Sequence, residues 1–304
     1  MSVRAIAGFA VRGKVNALTA GGLAHSVREK VARGIFMQGW SLFTHSVTLV
    51  VRNWRDALKI GLVPIGLFFV WLMVAVGMGL SFANVTMGPG GMGGDMGGMG
   101  GAATPAGAGV AALLALLTVI FGLATFLWVV VSWHRFVLLE EYPRGWVPPF
   151  RGDLVLGYFG RLLLLLLLGF VLMIPVIVVA SGFVAAMGEG GVMLLLLLAV
   201  PFYVFILVSY YRLAIILPAG AVGAPLTLGQ AWVATRGSFG TIFVMQFGFF
   251  LMNLAVQMAV YVLSEVVPVL GLLVSLAATV FVGLVQVSLL TTLYGVYIEK
   301  RGIG

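Results

Sequence analysis

Six stretches of uncharged, mainly apolar residues run through this chain: Ile60–Ala83, Gly109–Ser132, Leu162–Phe183, Val192–Tyr211, Thr241–Leu263 and Leu270–Leu293. A helix rises about 1.5 Å per residue, so roughly 20 such residues cross a hydrocarbon core about 30 Å thick. A chain built this way must satisfy its backbone hydrogen bonds inside each segment, which leads to an all-α membrane protein. Composition agrees: 62% of the residues are hydrophobic and 9% are charged, against about 25% charged in soluble domains. The absence of cysteine excludes disulfides, zinc–thiolate sites, iron–sulfur clusters and thiol nucleophiles. Pro64, Pro175, Pro201 and Pro268 lie within or beside four of the stretches and predict kinks there.

Charge sets the expected orientation. Of the 17 Lys and Arg residues, nine lie in residues 1–59, four in 133–161, two in 212–240 and two after Leu293. The other three connections hold no cation and one acid each: Asp95, Glu189 and Glu265. Basic residues resist translocation. The alternation therefore predicts six spans with both termini cytoplasmic, in a bacterial inner membrane. The net charge of +8 then reflects topology and implies no nucleic-acid partner. Residues 1–34 lack the continuous apolar run of a secretory signal. Their basic, Ala- and Gly-rich composition resembles a mitochondrial transit peptide, but predicts more simply a poorly ordered arm beside an anionic surface.

Internal similarity suggests three hairpins. VSWHRFVLL (Val131–Leu139) closes the second span, VSYYRLAII (Val208–Ile216) the fourth, and VSLLTTLY, from Val287, echoes them in the sixth. A spacing of about 78 residues equals one hairpin plus its connection, a weak three-fold repeat. Residues 35–59 read as an amphipathic helix. Phe36, Trp40, Phe43, Val47, Val50, Trp54 and Leu58 recur at steps of three or four, opposite Gln38, His45, Arg52, Asn53, Arg55 and Asp56. The apolar stripe suits the membrane interface or the protein's own helix ends. Segments Leu226–Gly240 and Asp153–Arg161 are expected to play the same part before the fifth and third spans. Residues 60–304 then form the transmembrane domain, with a Gly- and Met-rich outer loop at 84–108.

With these features the chain resembles a broad group of bacterial six-span inner-membrane proteins. They include the YciC-like proteins and the membrane domain attached to some glycerophosphodiester phosphodiesterases. Arg212, Leu217–Pro218, Gln230–Arg236 and the C-terminal LYGVYIEKR (Leu293–Arg301) carry the likeness, which spans most of residues 35–301. The group implies six spans and no common activity. The chain carries no soluble phosphodiesterase segment, so that chemistry is not implied.

Few residues in the spans can carry chemistry. Charged groups and histidines at membrane depth mark transport pathways, and the six stretches contain no Asp, Glu, Lys, Arg or His. Gln246, Asn253 and Gln257 share one face of the fifth span, as a substrate or lipid groove or as interhelical hydrogen-bonding groups. Gly271, Ser275, Thr279 and Gly283, at steps of four on the sixth span, form a small-residue stripe for close helix approach; Ala75, Gly79 and Ala83 do the same on the first. Arg135 and Arg212 hold matching repeat positions at headgroup level, to bind lipid phosphate or to anchor helix ends. Glu140 and Glu141, with Arg135, Arg144 and Arg151 nearby, predict a solvated ion-pair cluster. No metalloprotease, nucleophile-elbow or phosphate-loop motif is present.

The outer loop contains MGPGGMGGDMGGMGG. Met87, Met92, Met96 and Met99 offer thioethers, soft ligands that select Cu(I); the same composition also makes a slack linker. No metal or other cofactor is expected. The resulting expectation is a non-enzymatic accessory, assembly or scaffold component of a larger membrane complex, partnered by lipids and other membrane subunits. Solute or lipid handling through the Gln246–Gln257 face is the alternative, and copper handling by the loop a third.

Overall fold

The computed structural model describes residues 29–87 and 105–302. Helix α1 covers residues 29–52. It is followed by α2 (Trp54–Met87), α3 (Pro105–Leu139), α4 (Gly152–Met187), α5 (Glu189–Ala214), α6 (Ile216–Ala221), α7 (Leu228–Ala234), α8 (Phe239–Val266) and α9 (Pro268–Tyr297). No strand occurs among the described residues. Six helices, α2, α3, α4, α5, α8 and α9, are long and apolar enough to cross a membrane.

Several boundaries differ from the sequence reading. The helix expected at 35–59 begins by residue 29 and ends at 52. Residues 29–34 are helical rather than part of an arm, and an exposed ion pair of Arg33 with Glu29, 2.6 Å apart at i,i+4, adds a small local contribution there. At Asn53 the side-chain amide donates to the Leu49 carbonyl at 2.8 Å. That local bond competes with helix continuation, and Trp54–Lys59 become the first turns of α2. Asp153–Arg161 form no separate helix, because Val155 and Tyr158 are buried one turn apart on a continuous α4. Glu189 opens α5 instead of lying in a turn; Gly188 alone makes the reversal, at a φ of 57° that favours glycine. Glu265 lies in the last turn of α8.

Consecutive helices pack on each other: α2 on α3, α4 on α5, α8 on α9. Contacts of α3 with α4 and α9, and of α5 with α8, complete a circuit of five helices with α2 outside it on α3. At the α8–α9 turn, Pro268 starts the helix where no amide donor is needed. A Cβ on Gly271 would stand 2.5 Å from Ser264 Cα, so glycine sets that approach.

Burial is concentrated at one end. The main core joins Leu42 and Phe43 of α1 to the last turns of α3, α5 and α9 and the first turns of α4 and α8. Helix α6, with every residue buried, sits inside this end and packs on α3, α4 and α9. The apolar and Pro-containing sequence ILPAGA explains that depth: it offers no side-chain polar group to desolvate. The other halves of the spans are uncovered, as at Met73, Phe170, Ile177, Met193, Tyr261 and Leu272.

Candidate functional site

The polar side chains gather at the buried end. Trp133 and His134, in the last turns of α3, are fully buried. Trp133 Nε1 donates to Ser288 Oγ of α9 at 2.9 Å. His134 Nδ1 lies 2.8 Å from Thr291 Oγ1, and its Nε2 lies 3.4 Å from the Tyr158 hydroxyl of α4. Ser46 of α1 donates to Thr292 Oγ1 at 2.9 Å. Ser288, Thr291 and Thr292 occupy adjoining faces of one turn of α9, so that turn receives bonds from both α1 and α3. These are directional clamps in a dry interior, where a partnered polar group is stable and an orphaned one is not. His134 stands out in the sequence by no motif of its own. Its partners lie 157 and 24 positions away, and no local pattern announces them.

Arg135 and Arg212, each three residues after a Val-Ser pair in the sequence, do different things. Arg212 Nη2 donates to the Trp232 carbonyl at 2.9 Å and Nε to Thr235 Oγ1 at 3.2 Å. Its guanidinium also lies 3.5 Å from the centre of the Trp232 ring. All three contacts hold α7, whose start is fixed by a capping box between Thr227 and Gln230. Arg212 is thus engaged within the protein. Arg135 Nε instead bonds Glu141 Oε2 at 2.6 Å, and its Nη1 donates to the Ala221 carbonyl at the end of α6 at 3.1 Å. Arg151 also donates to Glu141. Burial raises the Glu141 carboxyl, but hydrogen bonding and charge from Arg135 and Arg151 outweigh it and hold it below its ordinary range.

Around this ion-pair group lies a cavity of about 730 Å³. It is roofed by the 140–151 connection and floored by α3, with Ile60 of α2 and Val155 of α4 closing its sides. Its shape depends on how α3 ends. Glu140 takes a φ of 54°, unusual for a residue other than glycine, and Tyr142 N donates to the Glu140 carbonyl at 3.0 Å. This turn brings Glu141 back beneath Arg135. The sequence reading of a solvated cluster is therefore corrected in one respect: Arg135 and Glu141 are part-buried in a cavity wall. Two arginines and two consecutive prolines in so short a connection, with Arg135 just before it, were the available signal.

The other candidate residues are dispersed. Gln246 is buried and its Oε1 has no partner among the described residues; Asn253 is half-buried and Gln257 is exposed. The face therefore runs from the packed end outward. In the small-residue stripe, Gly271 packs against α8, whereas a Cβ on Gly283 would meet nothing within 4 Å. Ser275 and Thr279 return their hydroxyls to the carbonyls of Leu272 and Ser275 on their own helix. Met87 ends α2, and Met92, Met96 and Met99 lie outside the described residues. Among the described residues no three acidic or histidine side chains gather as a metal site.

No protein-family model, curated protein or solved structure matches this chain. The fold and composition define an all-helical protein with six helices able to cross a membrane, consistent with a multi-pass membrane protein.

Proposed function

We propose that this protein is a non-enzymatic accessory, assembly or scaffold component of a larger membrane complex. It sits in a bacterial inner membrane as three hairpins, with both termini and the packed end cytoplasmic. One observation carries the reading. On α9, Ser275, Thr279 and Gly283 form a small-residue face that is open at Gly283, where a Cβ meets nothing within 4 Å among the described residues, while the Ser275 and Thr279 hydroxyls are already satisfied within α9. Small residues let a second backbone approach closely, and such contacts drive helix association in lipid. The cytoplasmic placement is supported by the charge distribution: Lys and Arg lie only in the helix ends and connections on the packed side and toward the two ends of the chain. The likeness to YciC-like proteins is compatible with the architecture and brings no activity with it.

The test is extraction from native membranes in a mild detergent, followed by sizing and mass spectrometry. The expected result is stoichiometric co-purification with one membrane complex, lost in Gly283→Leu while the isolated variant keeps its thermal stability. A lone monomer or homo-oligomer overturns the reading. It would turn attention to the alternative, lipid or solute handling along Gln246, Asn253 and Gln257, which the unpartnered Gln246 oxygen favours.

A further inference from the structure

We propose that the cavity beside Arg135 and Arg151 binds the phosphodiester headgroup of a membrane phospholipid. This site lies away from the α9 face, and the proposal stands or falls separately from the accessory role.

Charge comes first. Arg135, Arg144 and Arg151 line the cavity against Glu140 and Glu141, an excess of one positive charge. Glu141 is shared by Arg135 and Arg151, so one carboxylate is divided between two guanidinium groups. Arg144, in the rim, makes no ion pair or hydrogen bond among the described residues, and Glu140 makes no ion pair there. A phosphodiester carries a single negative charge and offers acceptor oxygens in the geometry that guanidinium forks recognise.

Unspent donors come second. Arg151 Nε and Trp128 Nε1 lie buried in the cavity wall with no hydrogen-bond partner among the described residues. Buried donors are rarely left so, and an absent acceptor is a standard cause. Both need an acceptor-rich ligand, which excludes a second cation.

Depth comes third and separates a lipid from a free anion. Trp128, Ser132 and Arg135 follow one another at i, i+4 and i+7 on one face of α3, and all three line the cavity. Seven residues of helix span about 10 Å. The polar end is therefore at Arg135 and Arg151, and the wall runs inward past Val131, Val155 and Ile60. Charged at one end and apolar at the other, the cavity matches a headgroup with the start of its acyl chains. A free phosphate ion would use only the outer end.

Native mass spectrometry of the full chain in detergent tests this, with dioleoyl phosphatidylglycerol as the probe. One bound phospholipid per chain is expected. Dioleoylglycerol, with the same tails and no phosphate, should bind at least ten-fold more weakly. Arg151→Gln and Arg144→Gln should each weaken the phospholipid at least five-fold. Because Arg151 also holds Glu141, Arg144→Gln and Trp128→Phe serve as variants that leave the ion pairs intact; Trp128→Phe should weaken binding two- to five-fold with thermal stability unchanged. Equal retention of dioleoylglycerol and phosphatidylglycerol overturns the proposal, as does unchanged binding in the Arg144 and Trp128 variants. Competition by inorganic phosphate at the lipid's own affinity overturns the lipid assignment and makes the site one for a free anion.

Discussion

Trp133 Nε1 donates to Ser288 Oγ at 2.9 Å, across 155 positions of sequence and with both residues fully buried. The bond ties α3 to α9 where the circuit of helices closes. Ser288→Ala leaves the indole donor unpartnered in a dry core, at a cost of about 1–3 kcal/mol. Trp133→Phe loses the same bond but frees a hydroxyl that can turn to its own helix backbone. In thermal unfolding in detergent, Ser288→Ala should lower the midpoint clearly. The double variant should cost less than the two single variants combined. Ser181→Ala, exposed and bonded only to the Val178 carbonyl, is the control. If the two serine variants behave alike, the clamp has no energetic role.

Two glycines of one stripe should respond in opposite senses. A Cβ on Gly271 would stand 2.5 Å from the Ser264 backbone, whereas one on Gly283 meets open space. Overpacking at a fixed backbone costs about 1–3 kcal/mol, so Gly271→Ala should destabilise the purified protein. Gly283→Ala should be neutral or gain up to about 1 kcal/mol from helix propensity. Thermal midpoints measured side by side decide this, and equal losses would show that α9 packs differently.

The six helices were legible in the sequence because twenty uncharged residues in a row admit little else. Their ends were not. Trp54–Lys59 joined α2 because a single amide, Asn53, sets the break, and Asp153–Arg161 joined α4 because Val155 and Tyr158 meet a core made by distant helices. That Arg135 and Arg212 each follow a Val-Ser pair was readable, but their unlike duties were not. Arg212 meets Trp232, 20 positions on, whereas Arg135 meets a carboxylate delivered by a left-handed turn at Glu140. The cavity was invisible for the same reason: it depends on the path of a connection whose composition shows only charge and proline. Depth of burial at Gln246, Asn253 and Gln257 depends on where the circuit of helices opens, which helical periodicity does not encode.

Arg212 should be needed for α7 more than for the bundle. Its fork reaches a carbonyl and a hydroxyl while its plane covers the Trp232 ring. Lysine carries the charge but cannot make this planar contact. Arg212→Lys should therefore speed amide hydrogen exchange across Leu228–Ala234 by about ten-fold, the equivalent of about 1.4 kcal/mol, with little change in exchange at the α3–α9 clamp. Uniform acceleration through both regions would mean that α7 and the core open together.

Acid should loosen the cavity wall through Glu141. Its carboxyl is held below the ordinary value of 4.5 by Arg135 and Arg151. A depressed carboxyl contributes stability that is complete above the unfolded value and is lost as pH falls through the folded one. The difference in stability between the native protein and Glu141→Gln should thus be steady from pH 7 to about pH 5, and shrink progressively below pH 4.5 as native Glu141 takes up its proton. Other carboxyls titrate in both proteins and cancel in the difference. Thermal unfolding of the pair at a series of pH values measures it. A difference that stays constant down to pH 3 would mean that Glu141 gains nothing from the two arginines on folding, and that the turn at Glu140 alone shapes the wall.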